Sequence, residues 1–258
     1  QGLVVVRDGV IVYEDYWSNA YHQATPDWRN ASFSSAKSFA SALVGVAVTE
    51  GLLNIDDLVS TYHSAEASGL RPGTTIKHLL TMSSGGTLII KPSSRRPNPK
   101  TDNPRRGAGI DYMRVIKPEA GTPPGSGSTL APGETFFYDS KPMDHLANVL
   151  AAAAGKSARQ YAVEHLLTPL GVENFNYQPE GVDSDDNPRM GGSVELSVRD
   201  LARLGQLWLN GGRWDGAQLV DRAYVEQAVA PSATNPGYGF LWWLNTTGVR
   251  GPTAPRNM

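Results

Sequence analysis

No cysteine occurs anywhere in the 258 residues. That excludes disulfides, thiol nucleophiles and cysteine-ligated metals. No apolar run is long enough to span a bilayer. Charge of one sign is also missing. The 23 Lys and Arg nearly balance the 25 Asp and Glu, leaving −2, and give no global attraction to nucleic acid or an anionic membrane. His-Glu-x-x-His is absent and the five histidines are scattered, so zinc has no support. Gly-x-Ser-x-Gly is absent, which argues against an α/β-hydrolase. Gly155-Lys156-Ser157 lacks the upstream glycine of a phosphate-binding loop. Asp183, Asp185 and Asn187 start like a calcium loop, but Pro188 stands where glycine is needed and Val194 replaces the bidentate glutamate. No internal repeat is evident. The chain starts with Gln1, so the lack of a leader says nothing of compartment.

What is present centres on residues 32–51, a stretch rich in Ala, Val and Leu that ends on Gly51. It reads as a buried helix beginning near Ser34, with Gly51 just past its end. Ser34 and Lys37 are three apart and share a face of the first turn. A serine there sits where free N–H groups and the helix dipole favour negative charge. Lys37 runs into an apolar turn, an expensive place for an unpaired charge. None of the other six lysines has a serine three residues before it. A desolvated lysine in this position can take the serine's proton.

The flanking sequence supplies the scaffold. Leu3–Arg7 and Val10–Trp17 read as strands joined by an Asp8-Gly9 hairpin turn. Short helices are predicted at Thr75–Met82, Pro142–Ala154, Ser157–Leu167, Ser197–Asn210 and Arg222–Ala230, with capping boxes at Ser157/Gln160 and Ser197/Asp200. Between Leu79 and the cap position, His78 reads as a packed or capping residue rather than a base. Tyr238–Leu244 looks like a strand. Residues 91–106 carry Lys91, Arg95, Arg96, Lys100, Arg105 and Arg106 among prolines and read as a solvated loop, with a basic lid for anionic substrates as the sharper alternative. The order predicts an α+β fold: an antiparallel sheet built from N- and C-terminal strands, flanked by helices, with a mostly helical second lobe. A single domain is expected, its sheet lobe at about 1–50 and 215–258 and its helical lobe at about 51–214.

One combination is more specific. Ser34-Ser35-Ala36-Lys37 at a helix start is followed, about a hundred residues on, by Tyr138-Asp139-Ser140. This resembles the serine β-lactamase and penicillin-binding-protein superfamily. Within it, the chain is most similar to the branch of class C β-lactamases, esterases and aminohexanoate-oligomer hydrolases, which uses Ser-x-x-Lys and Tyr-x-Asn or Tyr-x-Ser. His78-Leu79-Leu80-Thr81-Met82-Ser83-Ser84-Gly85, Pro169-Leu170-Gly171, Arg199-Asp200-Leu201-Ala202 and Tyr238-Gly239-Phe240 fall in the family's order. The resemblance implies a β-lactamase/transpeptidase-like fold and a serine hydrolase working through an acyl-enzyme on a small ester, amide or lactam. It implies Ser34 as nucleophile and as one oxyanion-hole donor through its N–H, and Lys37 as proton acceptor. Tyr138 would serve as general base with Lys37, and Ser140 as a substrate contact. No metal or organic cofactor is implied. Ser140, where class C lactamases carry Asn, favours an esterase or small-amide hydrolase over a dedicated lactamase. A non-hydrolysing relative that binds or senses acyl ligands is the alternative. The family's third motif, Lys-Thr-Gly or His-x-Gly, is absent, and the chain stops at Met258 soon after the Tyr238 segment. The expectation is a fragment, or a partner strand supplied by another segment or chain.

Overall fold

The computed structural model describes residues 2–18, 23–64, 68–85, 131–177, 187–192 and 194–244. The basic stretch 91–106, Asp183, Asp185 and everything after Leu244 lie outside the described residues. The architecture is α+β, with helices packed around small antiparallel sheets.

Strands β1 (Gly2–Arg7) and β2 (Val10–Tyr16) form the expected hairpin. Asp8 and Gly9 both have positive φ, 54° and 77°, as the turn that matches strand twist requires. Among the described residues this hairpin pairs only with itself. Arg199 ties it to the body by a two-point grip on Glu14, at 2.6 and 2.9 Å. That hydrogen bonding holds the Glu14 carboxyl below its ordinary range.

Helix α1 (Ala36–Thr49) is buried on nearly every side, as a helix with no polar face must be. Its end follows from Gly51. With that residue at φ 71°, Leu52 N–H reaches Ala47 O at 2.9 Å and Gly51 N–H reaches Val48 O at 3.0 Å. The last carbonyls are thereby satisfied. The α-helix starts at Ala36 rather than Ser34, because a single 3₁₀ turn, Phe33–Ser35, precedes it.

Short β3 (Asn30–Ala31) leads into that turn. It pairs with β5 (Val194–Leu196), which also pairs with β4 (Asn176–Tyr177), giving the order β3-β5-β4. Helix α2 (Ile76–Leu80) is capped by Thr75 and His78: the His78 N–H donates to Thr75 Oγ1, and the Thr75 N–H donates to His78 Nδ1 at 3.1 Å. His78 is therefore a cap, as expected.

The helix predicted at Pro142–Ala154 is two, α3 (Ser140–Asp144) and α4 (Leu146–Ala154). Pro142 falls in the first turn of α3, where its missing N–H costs nothing. The next predicted helix is α5 (Ala158–Ala162), which passes into a π-helical turn, Val163–Leu167. Ser157 accepts from Gln160 N–H, but the Gln160 side chain turns to Glu164, so only half of that capping box forms. Asn187, from the rejected calcium pattern, is spent on accepting Ala158 N–H at 2.9 Å. Helix α6 (Val198–Leu209) has the full box of Ser197 and Asp200. The hairpin of β6 (Arg213–Trp214) and β7 (Ala217–Gln218) and helix α7 (Arg222–Ala228) follow. Among the described residues, Tyr238–Leu244 makes only one antiparallel bridge, Tyr238 to Trp243. Leu241, at φ 61°, reverses the chain, and Leu244 N–H returns to Gly237 O, so no extended strand can run through. Among the described residues no helix is long and apolar enough to cross a membrane.

Helices α1 and α7 meet at Gly45. A Cβ there would lie 2.7 Å from both the Tyr224 ring and Val220 Cγ1. Tyr224 in turn donates its hydroxyl to Ser41 O at 2.9 Å. Gly45→Val is expected to cost about 1–3 kcal/mol through overpacking, lowering Tm by several degrees in a calorimetric scan. An unchanged Tm would show that the two helices are not in close contact.

Candidate active site

The site is assembled from three separate stretches. The first is the turn at Phe33–Ser35. Phe33 adopts φ 47°, a left-handed conformation that costs a non-glycine residue about 1–3 kcal/mol. Its side chain points into solvent, 73% exposed. The kink brings Ser34 to the surface at the head of α1. The approach is fixed from behind by Ser32, whose N–H and Oγ both donate to Val194 O on β5, at 3.1 and 2.5 Å. Ser34 N–H lies among the leading N–H groups that a helix leaves without an internal acceptor.

One turn on, Lys37 is 2% exposed. Its Nζ donates to Ser34 Oγ at 3.1 Å and to Gly191 O at 2.8 Å. Among the described residues no carboxylate lies within ion-pair distance of it. The Ser34–Lys37 pairing expected from their spacing is therefore formed.

The second stretch carries Tyr138. Phe137 N–H donates to Met82 O at 2.8 Å, and Asp139 caps α3 by accepting Lys141 N–H at 3.0 Å. Between these anchors the Tyr138 ring packs against Tyr238 and Trp243, with centroids 6.1 and 5.5 Å away. The Lys37 ammonium sits over the Tyr138 ring, 5.1 Å from its centroid. The contact is through the ring face; no hydrogen bond joins the Tyr138 hydroxyl to Ser34 or Lys37. Ser34, Lys37 and Tyr138 all line one cleft of about 410 Å³, walled also by Tyr238, Leu241 and Trp243. Ser140 does not line this cleft. It lies instead against Gly191, where an added Cβ would come 3.0 Å from its Oγ.

The third stretch is Arg189–Gly192, which ends in a turn. Gly191 O is the acceptor for Lys37, and Gly191 N–H donates to Asp144 Oδ1 at 2.9 Å. Asp144 Oδ2 accepts from Arg189 Nε at 3.0 Å. Burial pushes the Asp144 carboxyl above its ordinary range, opposed by the Arg189 guanidinium and the Gly191 N–H. The only available signal was the Gly191-Gly192 pair. A backbone carbonyl has no residue signature, so its role as lysine acceptor was not readable. Among the described residues no group of His, Asp and Glu could hold a metal ion.

Chemically, the cleft presents an exposed hydroxyl, a buried amine in contact with it, and an aromatic wall. A family model described as Beta-lactamase matches residues 2–254. The 6-aminohexanoate-dimer hydrolase of Paenarthrobacter ureafaciens is 25% identical over 238 residues, covering 88% of this chain and 56% of that protein. The octameric penicillin-binding protein homologue of Pyrococcus abyssi has a TM-score of 0.65 at 22% identity, over 92% of this chain and 58% of that one. EstCE1, a hydrolase with promiscuous acyltransferase activity, has a TM-score of 0.67 at 17% identity, over 98% of this chain and 80% of that one. The two structural likenesses establish the fold. The chain spans little more than half the length of the first two relatives.

The strained turn gives a stability test. Phe33→Gly is expected to leave Tm unchanged or to raise it, against the usual penalty of about 0.5–1 kcal/mol for glycine. Phe33→Val, β-branched in a left-handed position, is expected to lower it. The reverse order in thermal melts would contradict the turn geometry.

Proposed function

The chain belongs to the Beta-lactamase family, and we propose that it is a serine hydrolase in which Ser34 is the nucleophile. The observation that carries this is the contact between Lys37 Nζ and Ser34 Oγ, 3.1 Å, with the lysine buried and no carboxylate in ion-pair distance among the described residues. An ion-paired ammonium is held in its charged form by its partner. The proposed reaction proceeds from the neutral amine, and no such partner is present among the described residues to oppose it.

In the proposed reaction Ser34 Oγ attacks the carbonyl carbon of an ester, amide or lactam. Its proton passes to Lys37, with Tyr138 as the second member of the base. Ser34 N–H donates to the oxygen as it becomes negative. The carbon–oxygen or carbon–nitrogen bond to the leaving group then breaks, and Tyr138 returns the proton to that group. Water completes the cycle by attacking the acyl-enzyme. Apo hydrogen bonds in such sites often tighten only with substrate bound, and the Tyr138 hydroxyl needs that adjustment to reach Lys37. Ser140 lies outside the lining of the cleft, against Gly191, so its role as a substrate contact rests on the resemblance alone. The substrate class favoured is a short ester or small linear amide. The relative acting on an aminohexanoate dimer, and Ser140 in place of Asn, both support it.

A second reading is a relative that acylates and then releases its product slowly, as a sensor or binder does. The meeting of Lys37 and Tyr138 through the ring face, rather than through the phenol hydroxyl, favours it.

A fluorophosphonate probe is expected to label Ser34. Ser34→Ala should abolish labelling, and Lys37→Ala should slow it by at least about 100-fold. Labelling that is unchanged in Lys37→Ala would sink the assignment. With a p-nitrophenyl ester, a stoichiometric burst of p-nitrophenol with no further turnover would decide for the second reading. Short p-nitrophenyl esters are expected to be cleaved with higher kcat/KM than nitrocefin; equal values would overturn the substrate preference.

A further inference from the structure

We propose that Asp144 is a positioning residue for Lys37, acting through the backbone of Gly191. This rests on Lys37 being the proton acceptor of Ser34. Asp144 ends the short helix that Tyr138 and Asp139 lead into, six residues after Tyr138. Its side chain is 19% exposed and touches neither Lys37 nor Ser34 directly. It instead grips the loop that does. Oδ1 holds Gly191 N–H at 2.9 Å, and Oδ2 holds Arg189 Nε at 3.0 Å, so both oxygens brace the same four-residue segment. The carbonyl of that same Gly191 then takes Lys37 Nζ at 2.8 Å.

Gly191 has no freedom to drift. An added Cβ would stand 2.9 Å from Ser140 Cβ, 3.0 Å from Ser140 Oγ and 3.2 Å from Asp144 Oδ1. The residue is thus clamped between α3 and the head of α1. The clamp passes position from a carboxylate to a lysine through a peptide unit, with no direct ion pair between the two. A carboxylate placed directly on Nζ would orient the lysine equally well, but it would hold the proton there and remove the base. Asp144 therefore sets the direction of Nζ toward Ser34 through the Gly191 carbonyl, with no direct ion pair between them.

The test uses the rate of Ser34 labelling by a fluorophosphonate in the full chain, beside Tm for each variant. Asp144→Ala, which leaves Gly191 N–H and Arg189 without their acceptor, is expected to slow labelling about 10- to 100-fold, the effect of misplacing a catalytic group by about 1 Å. Asp144→Asn keeps an oxygen for Gly191 N–H and is expected to label within threefold of wild type. Arg199→Ala, which breaks the Glu14 pair far from the cleft, controls for general destabilisation and should label at the wild-type rate. A folded Asp144→Ala that labels within threefold of wild type overturns the proposal, and so does an Asp144→Asn as impaired as the alanine variant. If Asp144→Ala does not fold, Gly191→Ala decides: it keeps the carboxylate but displaces the carbonyl, and labelling within threefold of wild type overturns the proposal. Failure of the wild type itself to label Ser34 would refute the parent reading of the site instead, so the two outcomes are separable.

Discussion

A buried ammonium with no carboxylate in ion-pair distance among the described residues sets the terms for this molecule. Removing such an ion from water costs several kcal/mol unless its donors find partners. Lys37 has three N–H bonds to satisfy. Ser34 Oγ and Gly191 O take two, and the face of the Tyr138 ring lies 5.1 Å from the ion. A cation over a desolvated ring contributes up to about 2 kcal/mol. The three partners come from residues 34, 138 and 191. The fold must therefore close three distant stretches onto one atom, and any loosening leaves a charge stranded in the core.

The closure is made almost wholly by backbone. Strand β3 pairs with β5, which sets the residues just before Ser34 against those just after Gly191-Gly192. Ser32 then spends its N–H and its hydroxyl on a single carbonyl, Val194 O. Phe137 N–H is held by Met82 O, and Leu241 N–H by Leu80 O, so both aromatic walls hang from the residues that end α2. Ser38 Oγ adds a bond from α1 to Leu241 O. Each of these fixes a chain direction and leaves the side chain at the cleft to face inward.

What could be read in the sequence was local. The largely apolar run of α1, its Gly51 terminus, the Asp8-Gly9 turn and the Ser197/Asp200 box each carry their cause within a few residues, and each appears in the structure. The Ser34–Lys37 contact was legible for the same reason, being one helical turn. Tyr138 entered only through resemblance, because nothing near it announces which distant residue it meets. The Tyr238 strand failed for the opposite reason. Its aromatic run has the composition of a strand, but Leu241 takes up a left-handed turn to send its N–H to Leu80 O, a demand invisible in local propensity. Asp144 and Gly191 stayed hidden because their bonds run through main-chain atoms, which every residue possesses.

That reliance on main chain explains why two glycines occupy the most constrained place in the site. Gly191 fits against Ser140, and at Gly192 a Cβ would come within 3.3 Å of Phe33 O, the carbonyl just ahead of Ser34. The pair thus runs between the head of α1 and the Tyr138 helix with backbone touching both sides. A side chain at either position would push apart the two elements that carry the hydroxyl and the ring. The strain at Phe33 belongs to the same economy of space. The chain turns sharply there to bring Ser34 to the surface while its carbonyl stays against Gly192, and a wider turn would lose that contact. Exposure of Ser34 and burial of Lys37 are therefore two results of one packing problem, solved by glycine on one side and by a strained backbone on the other.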